Sequence, residues 1–257
     1  GSKPSTPAIS LFRLIFLLIL SSYDINAMHL NGCVFMKANL FFERIEDILL
    51  KSLKDELDLT PKPGCVDRRN SGPHPDMDYD VFLRSISSLK GYFFEIMQTS
   101  NTANGFADIF EAIRPIGIKY EEKMYKATGG INTHKGAIFT LGVVASAIGK
   151  LYYDNKYITN DVISEYVAKL CMNIFDDFKN SKMQSSNGAR IYKINKKHSG
   201  IRYEAYNGFK TALDAYGFYK NSKDFLRTYI YIVSMLDDTT SINRVGIDGL
   251  EFSKTYA

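Results

Sequence analysis

The sequence predicts an all-α fold: a single compact multi-helix domain whose active site lies in loops at helix ends. Three observations carry that expectation. Apolar residues recur at helical spacing in segment after segment, and no alternation of β type persists long enough to make a sheet. The stretches between are turns and polar loops punctuated by glycine and proline. At 257 residues, the chain buries a core without disulfide or metal staples.

Leu40 to Asp58 carries Leu40, Phe41, Ile45, Ile48, Leu49, Leu53 and Leu57 on one face and acids and lysines on the other. Thr60-Pro61-Lys62-Pro63-Gly64 ends that helix, because proline lacks the N–H and clashes with the preceding turn. The loop continues to Asp78, rich in acid, base, His and Asn. A loop of that length either carries function or is disordered, and Cys65, Val66 and Met77 favour order. Tyr79 to Met97 reads as one helix with Val81, Phe82, Ile86, Leu89, Phe93 and Ile96 on its apolar face, and Asn101 to Gly105 as a turn. Asp108 to Lys126 is amphipathic, with Pro115 expected to kink it or divide it in two.

Gly129-Gly130 stop that helix, and Ala137 to Tyr153 follows as a long apolar run. Asp161 to Phe178 is the next helix, with Asn160 near its N-cap, and Asn180 to His198 is a polar surface loop. A helix from about Gly200 to Tyr219, another over Asp224 to Leu236 and a short closing helix complete the chain. At the other end, Leu11 to Leu20 resembles a signal-peptide core but is too short to span a bilayer. The chain opens with Gly1-Ser2, as an expression tag leaves, so residues 1–36 are read as a non-native or atypical leader and 37–257 as the domain.

The net charge of +4 suits an anionic small molecule and lacks the dense basic stripe of a nucleic-acid binder. Cys33, Cys65 and Cys171 are odd in number and scattered, which supports neither a disulfide framework nor a zinc site. A cytoplasmic location with no membrane partner is expected.

The chemistry concentrates in Thr128-Gly129-Gly130-Ile131-Asn132-Thr133-His134-Lys135-Gly136, just before a helix start. The first N–H groups of a helix lack internal partners and carry partial positive charge, so an anion fits there. Lys135 adds a point charge, and the glycines let backbone approach oxygen atoms closely. Two readings stay open, a phosphate-binding loop and a polar helix–helix turn. The Walker pattern is not met, since Ala137 follows Gly136, and a P-loop fold is not expected.

Four polar clusters, at 60–78, 128–136, 200–208 and 237–246, flank helix ends and could converge in one cleft. They hold cations (Lys62, Arg68, His134, Lys135, Arg202, Arg244) and acids (Asp67, Asp76, Asp78, Glu121, Glu204, Asp237, Asp238). Cations clamp phosphates and carboxylates hold magnesium, so together they describe a Mg-nucleotide site. Each has a plainer reading: Asp237-Asp238-Thr239 as a helix end, Arg202 and Glu204 as a surface pair, and His74 between prolines as a rigid turn.

The clusters carry a resemblance. Thr60-Pro61-Lys62-Pro63-Gly64 with Val66-Asp67, then Asn70, Gly72, His74 and Asp76-Met77, resembles the first signature of the triphosphoribosyl-dephospho-CoA synthases. Arg114, Gly117-Ile118, Glu121 and Met124 resemble the next block, and Thr128 to Phe139 is the strongest match. Gly200-Ile201-Arg202, Glu204-Ala205, Gly208-Phe209, Asp237-Asp238-Thr239, Arg244 and Gly246 follow in the family's order.

The resemblance implies an all-helical enzyme that condenses ATP with 3′-dephospho-CoA. The products are adenine and 2′-(5″-triphosphoribosyl)-3′-dephospho-CoA, the prosthetic-group precursor for the acyl-carrier subunit of citrate lyase or malonate decarboxylase. It needs a base at the attacking hydroxyl, a donor to departing adenine and stabilisation of an oxocarbenium-like centre.

Within the matched motifs, Lys62, Gly129, Gly130, Asn132, Thr133, His134, Lys135 and Arg202 are assigned to substrate and phosphate binding. Glu204, Asp237 and Asp238 are assigned to Mg2+, and Asp76 or Asp78, beside His74, to acid–base work at the ribose. Family members usually continue to a Ser-Pro-Gly-Gly stretch followed by Ala-Asp-Leu-Leu, which this chain lacks. The alternative expectation is therefore a catalytically weak truncated homologue that binds a nucleotide or CoA derivative without turnover.

Overall fold

A helix that is apolar on every side has to be enclosed, and the fold is arranged around one. In the computed structural model, residues 38–62, 65–72, 75–101, 105–179, 200–235, 246–249, 251–252 and 254–255 are described. The leader and the 180–198 loop lie outside them. The helices are α1 (Ala38–Asp58), α2 (Tyr79–Ser88), α3 (Tyr92–Thr99), α4 (Phe106–Ala127), α5 (Lys135–Tyr153), α6 (Asn160–Leu170), α7 (Gly200–Tyr206), α8 (Lys210–Ser222) and α9 (Phe225–Met235). A 3-10 segment, Ile174–Lys179, follows α6, and helical turns recur among residues 246–255. No strand occurs among the described residues, so the fold is all-α.

The enclosed helix is α5, which packs against α1, α3, α4, α6 and α7. Leu141, Val144, Ala145, Ala147, Ile148 and Leu151 are fully buried along it. Each large apolar side chain so placed contributes about 1.5–3 kcal/mol. Among the described residues α5 alone has the length and apolarity to cross a membrane, but 72% of that window is buried inside the protein, as in a core helix.

Against α3 the approach is close. A Cβ at Gly149 would lie 2.7 Å from the Met97 carbonyl oxygen and 2.8 Å from Met97 Cα. The Tyr92 hydroxyl lies over Gly142 and donates to the Ile138 carbonyl at 2.9 Å. A smaller core of Cys65, Ala215, Tyr229 and Ile232 joins the loop after α1 to the α8–α9 hairpin.

The observed elements depart from the periodicity reading in three places. The segment read as one helix from Tyr79 to Met97 is two, parted at Leu89-Lys90-Gly91. Gly91 adopts φ +87°, and the buried Glu46 carboxylate takes the N–H groups of Gly91 (2.7 Å) and Phe94 (2.8 Å), starting a new helix there.

Of the two outcomes expected at Pro115, a kink or a division, the division does not occur: the helix runs through it, since neighbouring turns keep their bonds when one N–H is missing. Asp161 to Phe178 stops as an α-helix at Leu170 and resumes as the 3-10 segment, and Thr159 is its N-cap with Asn160 next to it, as expected. The helix expected from Gly200 to Tyr219 breaks at Asn207-Gly208-Phe209. Gly208 has φ +70°, and a Cβ there would sit 2.3 Å from the Ser164 carbonyl oxygen. Ser164 Oγ donates to the Gly208 carbonyl at 2.6 Å, so this motif glycine serves packing.

Gly149→Ala decides between two effects. Helix propensity favours alanine by about 1 kcal/mol, whereas overpacking against the Met97 backbone costs about 1–3 kcal/mol. The variant is expected to be less stable by about 1–2 kcal/mol in urea denaturation. A stabilised variant would show that α3 and α5 are not in this contact.

Candidate active site

The site is assembled where the loop after α1, the helix α2 and the start of α5 meet. Asp67 shapes the loop, its carboxylate accepting N–H bonds from Lys62 (3.0 Å), Arg69 (2.8 Å) and Asn70 (3.1 Å). Burial pushes the Asp67 carboxyl upward, but these donors outweigh it and hold the group below the usual range. At the end of α1, Asp58 binds Lys54, Arg68 and the Tyr79 hydroxyl. Burial opposes its charge, yet the three donors lower its pKa to about 2. Cys65 Sγ meets the Tyr229 hydroxyl at 3.3 Å, fastening the loop to α9.

The interior beneath this loop is polar. Lys62 is 3% exposed, and its ammonium binds the Glu56 carboxylate Oε1 and the Glu56 carbonyl at 3.0 Å. Glu56 is fully buried; burial raises its pKa and Lys62 pulls it back. His134 is 1% exposed, edge-on to the Phe82 ring at 5.1 Å, with Nδ1 2.6 Å from Ser85 Oγ. Thr133 donates its hydroxyl to the same Ser85 oxygen at 2.6 Å. Burial and then the Lys62 charge bring the His134 pKa down to about 3, so the ring is neutral. Glu56 Oε2 and His134 Nε2 are both buried without a hydrogen-bond partner. An unmet buried group costs about 1–3 kcal/mol.

The loop at 128–136 turns outward from this interior. Thr128 and the glycine pair close α4: Thr128 Oγ1 donates to the Ile131 carbonyl at 2.7 Å and the Gly130 N–H to the Tyr125 carbonyl at 2.7 Å. Gly129 and Gly130 have φ +66° and +87°, which few other residues adopt. Asn132 is exposed and its Oδ1 accepts the Lys135 N–H at 3.4 Å. Lys135 is exposed and pairs with Glu121 at 2.9 Å. At Gly136 an added Cβ would meet nothing within 4 Å, and its φ is not positive, so packing gives no reason for glycine there.

The structure therefore brings Thr133 and His134 together at Ser85, with Asn132 and Lys135 at the adjoining helix start, and pairs Lys62 with Glu56. Lys62 and His134 face the interior, the one neutralised by Glu56 and the other uncharged. Asp78 caps α2, accepting the Val81 N–H at 2.8 Å, and Asp76 is exposed beside it. Arg202 and Glu204 sit on α7: Arg202 Nη1 donates to the Ile174 carbonyl at 3.2 Å, and Glu204 Oε1 accepts from Thr211 at 3.3 Å.

His74, Asp237 and Asp238 lie outside the described residues, and so does Arg244. No group of three His, Cys, Asp or Glu side chains placed to hold a metal occurs among the described residues. Sequence reasoning missed Glu56 and Ser85. Both had a signal, since each is a polar residue on the apolar face of its helix, Glu56 beside Leu53 and Leu57, Ser85 beside Phe82 and Ile86.

A family model described as CitG, ATP:dephospho-CoA triphosphoribosyl transferase, matches residues 42–257. The chain belongs to this family. It is 35% identical over 239 residues to the 2-(5″-triphosphoribosyl)-3′-dephosphocoenzyme-A synthase of Haemophilus ducreyi, covering 84% of this chain and 74% of that protein. The probable synthase of the same name from Salmonella gallinarum is 33% identical, over 83% and 74%. Protein CitXG of Haemophilus influenzae is 34% identical over 84% of this chain and 50% of its own length. No solved structure matches. As a member of the ATP:dephospho-CoA triphosphoribosyl transferases, the chain is an ATP-using transferase.

A neutral buried histidine makes stability depend on pH. Unfolded, His134 titrates near 6.5, and folded near 3. Between those values the unfolded chain binds more protons, so stability falls as pH drops from about 6.5 toward about 3. Glu56, raised by burial, acts in the opposite sense. Comparison with His134→Gln therefore isolates the histidine, and the variant should lose less stability between pH 6.5 and 4.5, read as the urea midpoint at each pH. Parallel losses in the two proteins would show that His134 is not buried neutral.

Proposed function

We propose that this chain joins ATP to 3′-dephospho-CoA, forming 2′-(5″-triphosphoribosyl)-3′-dephospho-CoA and releasing adenine. The 2′-hydroxyl of dephospho-CoA attacks the anomeric carbon of ATP's ribose, the C1′–N9 bond breaks, and the triphosphate stays whole. The product would be the prosthetic-group precursor for the acyl-carrier subunit of citrate lyase or malonate decarboxylase. The relatives named as synthases of this compound support the reaction.

The observation that carries the binding mode is the start of α5. Gly136 leaves open space where no packing demands it, beside the exposed Lys135 and Asn132. The first-turn N–H groups and the Lys135 ammonium can therefore meet a phosphate chain without a side chain in the way. Lys135 would exchange Glu121 for phosphate oxygens, and Gly129 and Gly130 hold the loop's turn behind them. Arg202 on α7 is proposed as a second phosphate contact.

Mg2+ is proposed to travel with the triphosphate, with Glu204, Asp237 and Asp238 as its protein ligands. Of these only Glu204 is described, half-buried and bonded to Thr211, so no step is assigned to the metal. Asp76 or Asp78, beside His74, is the proposed acid–base group at the ribose.

Chromatography of ATP, Mg2+ and protein with and without 3′-dephospho-CoA tests the reaction. Adenine is expected only with both substrates, together with the triphosphoribosylated product. ADP or phosphate would overturn the reaction, and binding without turnover would identify a non-catalytic homologue. Lys135→Ala should raise the KM for ATP about 10- to 100-fold, the loss expected for one charge-assisted contact. An unchanged KM would remove Lys135 from the phosphate site.

A further inference from the structure

One buried hydroxyl holds both residues that precede the first turn of α5. Ser85 lies on α2 and is fully buried. Its Oγ accepts from Thr133 Oγ1 at 2.6 Å and stands 2.6 Å from His134 Nδ1. Its neighbour Arg84 donates from Nε to the Ala127 carbonyl at 3.3 Å, where α4 ends. Two consecutive residues of α2 thus hold the 128–136 loop at its two ends.

The bonds to Ser85 have a consequence at the helix start. A cap side chain accepts from the N–H two or three positions on. Asp78 does so for α2, taking the Val81 N–H, and Thr159 for α6, taking the Val162 N–H. α4 and α8 begin at Gly105 and Phe209, which have no side chain able to cap. α5 has polar residues at hand and leaves them unused. Its N-cap residue is His134, whose side chain makes no cap bond. Thr133, a favoured capping type, spends its hydroxyl on Ser85.

We propose that Ser85 is a positioning residue for the transferase. By holding Thr133 and His134 against α2, it keeps the first-turn N–H groups of α5 open to the phosphate chain of ATP. This rests on the binding mode proposed above and assigns a residue that maintains it. Ser85 is enclosed and touches no substrate. Without its hydroxyl, Thr133 and His134 are released beside the Gly136 N–H, which is the third group from a Thr133 cap and the second from a His134 cap. A cap there competes with phosphate and leaves the chemistry at the ribose unaltered. The loss therefore falls on the KM for ATP rather than on kcat.

Steady-state kinetics of the full chain, with calorimetry using inorganic tripolyphosphate as the probe, tests this. Ser85→Ala should raise the KM for ATP and weaken tripolyphosphate binding about 10-fold, the factor for one ordinary hydrogen bond. Its kcat should stay within about twofold. Amide hydrogen exchange at Gly136 should slow, because the new cap protects that group, whereas a merely loosened protein exchanges faster. Ser100→Ala is the control. Ser100 is equally buried, bonds Ser146 Oγ at 2.9 Å in the middle of α5, and should leave the KM for ATP unchanged.

An unchanged KM in Ser85→Ala, a fall in kcat at constant KM, faster exchange at Gly136, or the same behaviour in Ser100→Ala would overturn the role of Ser85 alone. Failure of the wild-type protein to bind tripolyphosphate and ATP would overturn the phosphate reading of α5, and the role of Ser85 with it. Should Ser85→Ala not fold, Ser85→Cys fills the same space with a weakly bonding thiol and is judged by the same outcomes.

Discussion

The enclosure of α5 is the constraint on which the rest depends. A helix packed on by five others has only its ends to present, and its first turn is where polar loops gather. The close seat of α3 on Gly142 and Gly149 fixes the position of α5 along its axis. That seat also places Tyr92, whose hydroxyl takes up the Ile138 carbonyl one turn into the helix. The location of His134 and Lys135 thus follows from packing far from either residue.

Two carboxylates on the buried face of α1 show how scaffold and site differ within one helix. Glu46 has both oxygens engaged by the start of α3 and serves as a cap from another helix. Glu56, about three turns along, has one oxygen held by Lys62 and the other unmet. A buried ion pair adds little net stability, yet removing one partner costs about 3–5 kcal/mol. Glu56 and Lys62 therefore constrain each other tightly. Satisfied polar groups such as Glu46 stiffen the core.

Helix-forming segments were legible in the sequence because each needs a continuous apolar stripe, as Leu40 to Asp58 and Ala137 to Tyr153 have. Breaks were harder. Nothing in the periodicity around Leu89 to Gly91 shows that Glu46, 45 residues earlier, would restart the helix there. The Gly208 break depends on Ser164 of another helix. Conversely, Pro115 allowed a kink or a break, and the helix runs on through it.

In the site, the helix-start loop was legible from its glycines and charges. The burial of Lys62 and His134 was not, because the same residue types clamp phosphates when exposed. Glu56 and Ser85 look unremarkable in the sequence until their faces are known to point inward.

The contact between Cys65 and Tyr229 spans 164 residues, and it joins the first motif loop to the last well-formed helix. Such a contact has no local precursor, so it forms late, after the chain between has collapsed. During synthesis, α1 and the loop at 60–72 leave the ribosome long before α9 exists to receive them. The core around α5 can assemble in the meantime, while the loop at 60–72 is held only by its local ties to α1, Lys62 to Glu56 and Arg68 to Asp58. The loop thus takes its final anchorage, Cys65 on Tyr229, only when α9 arrives.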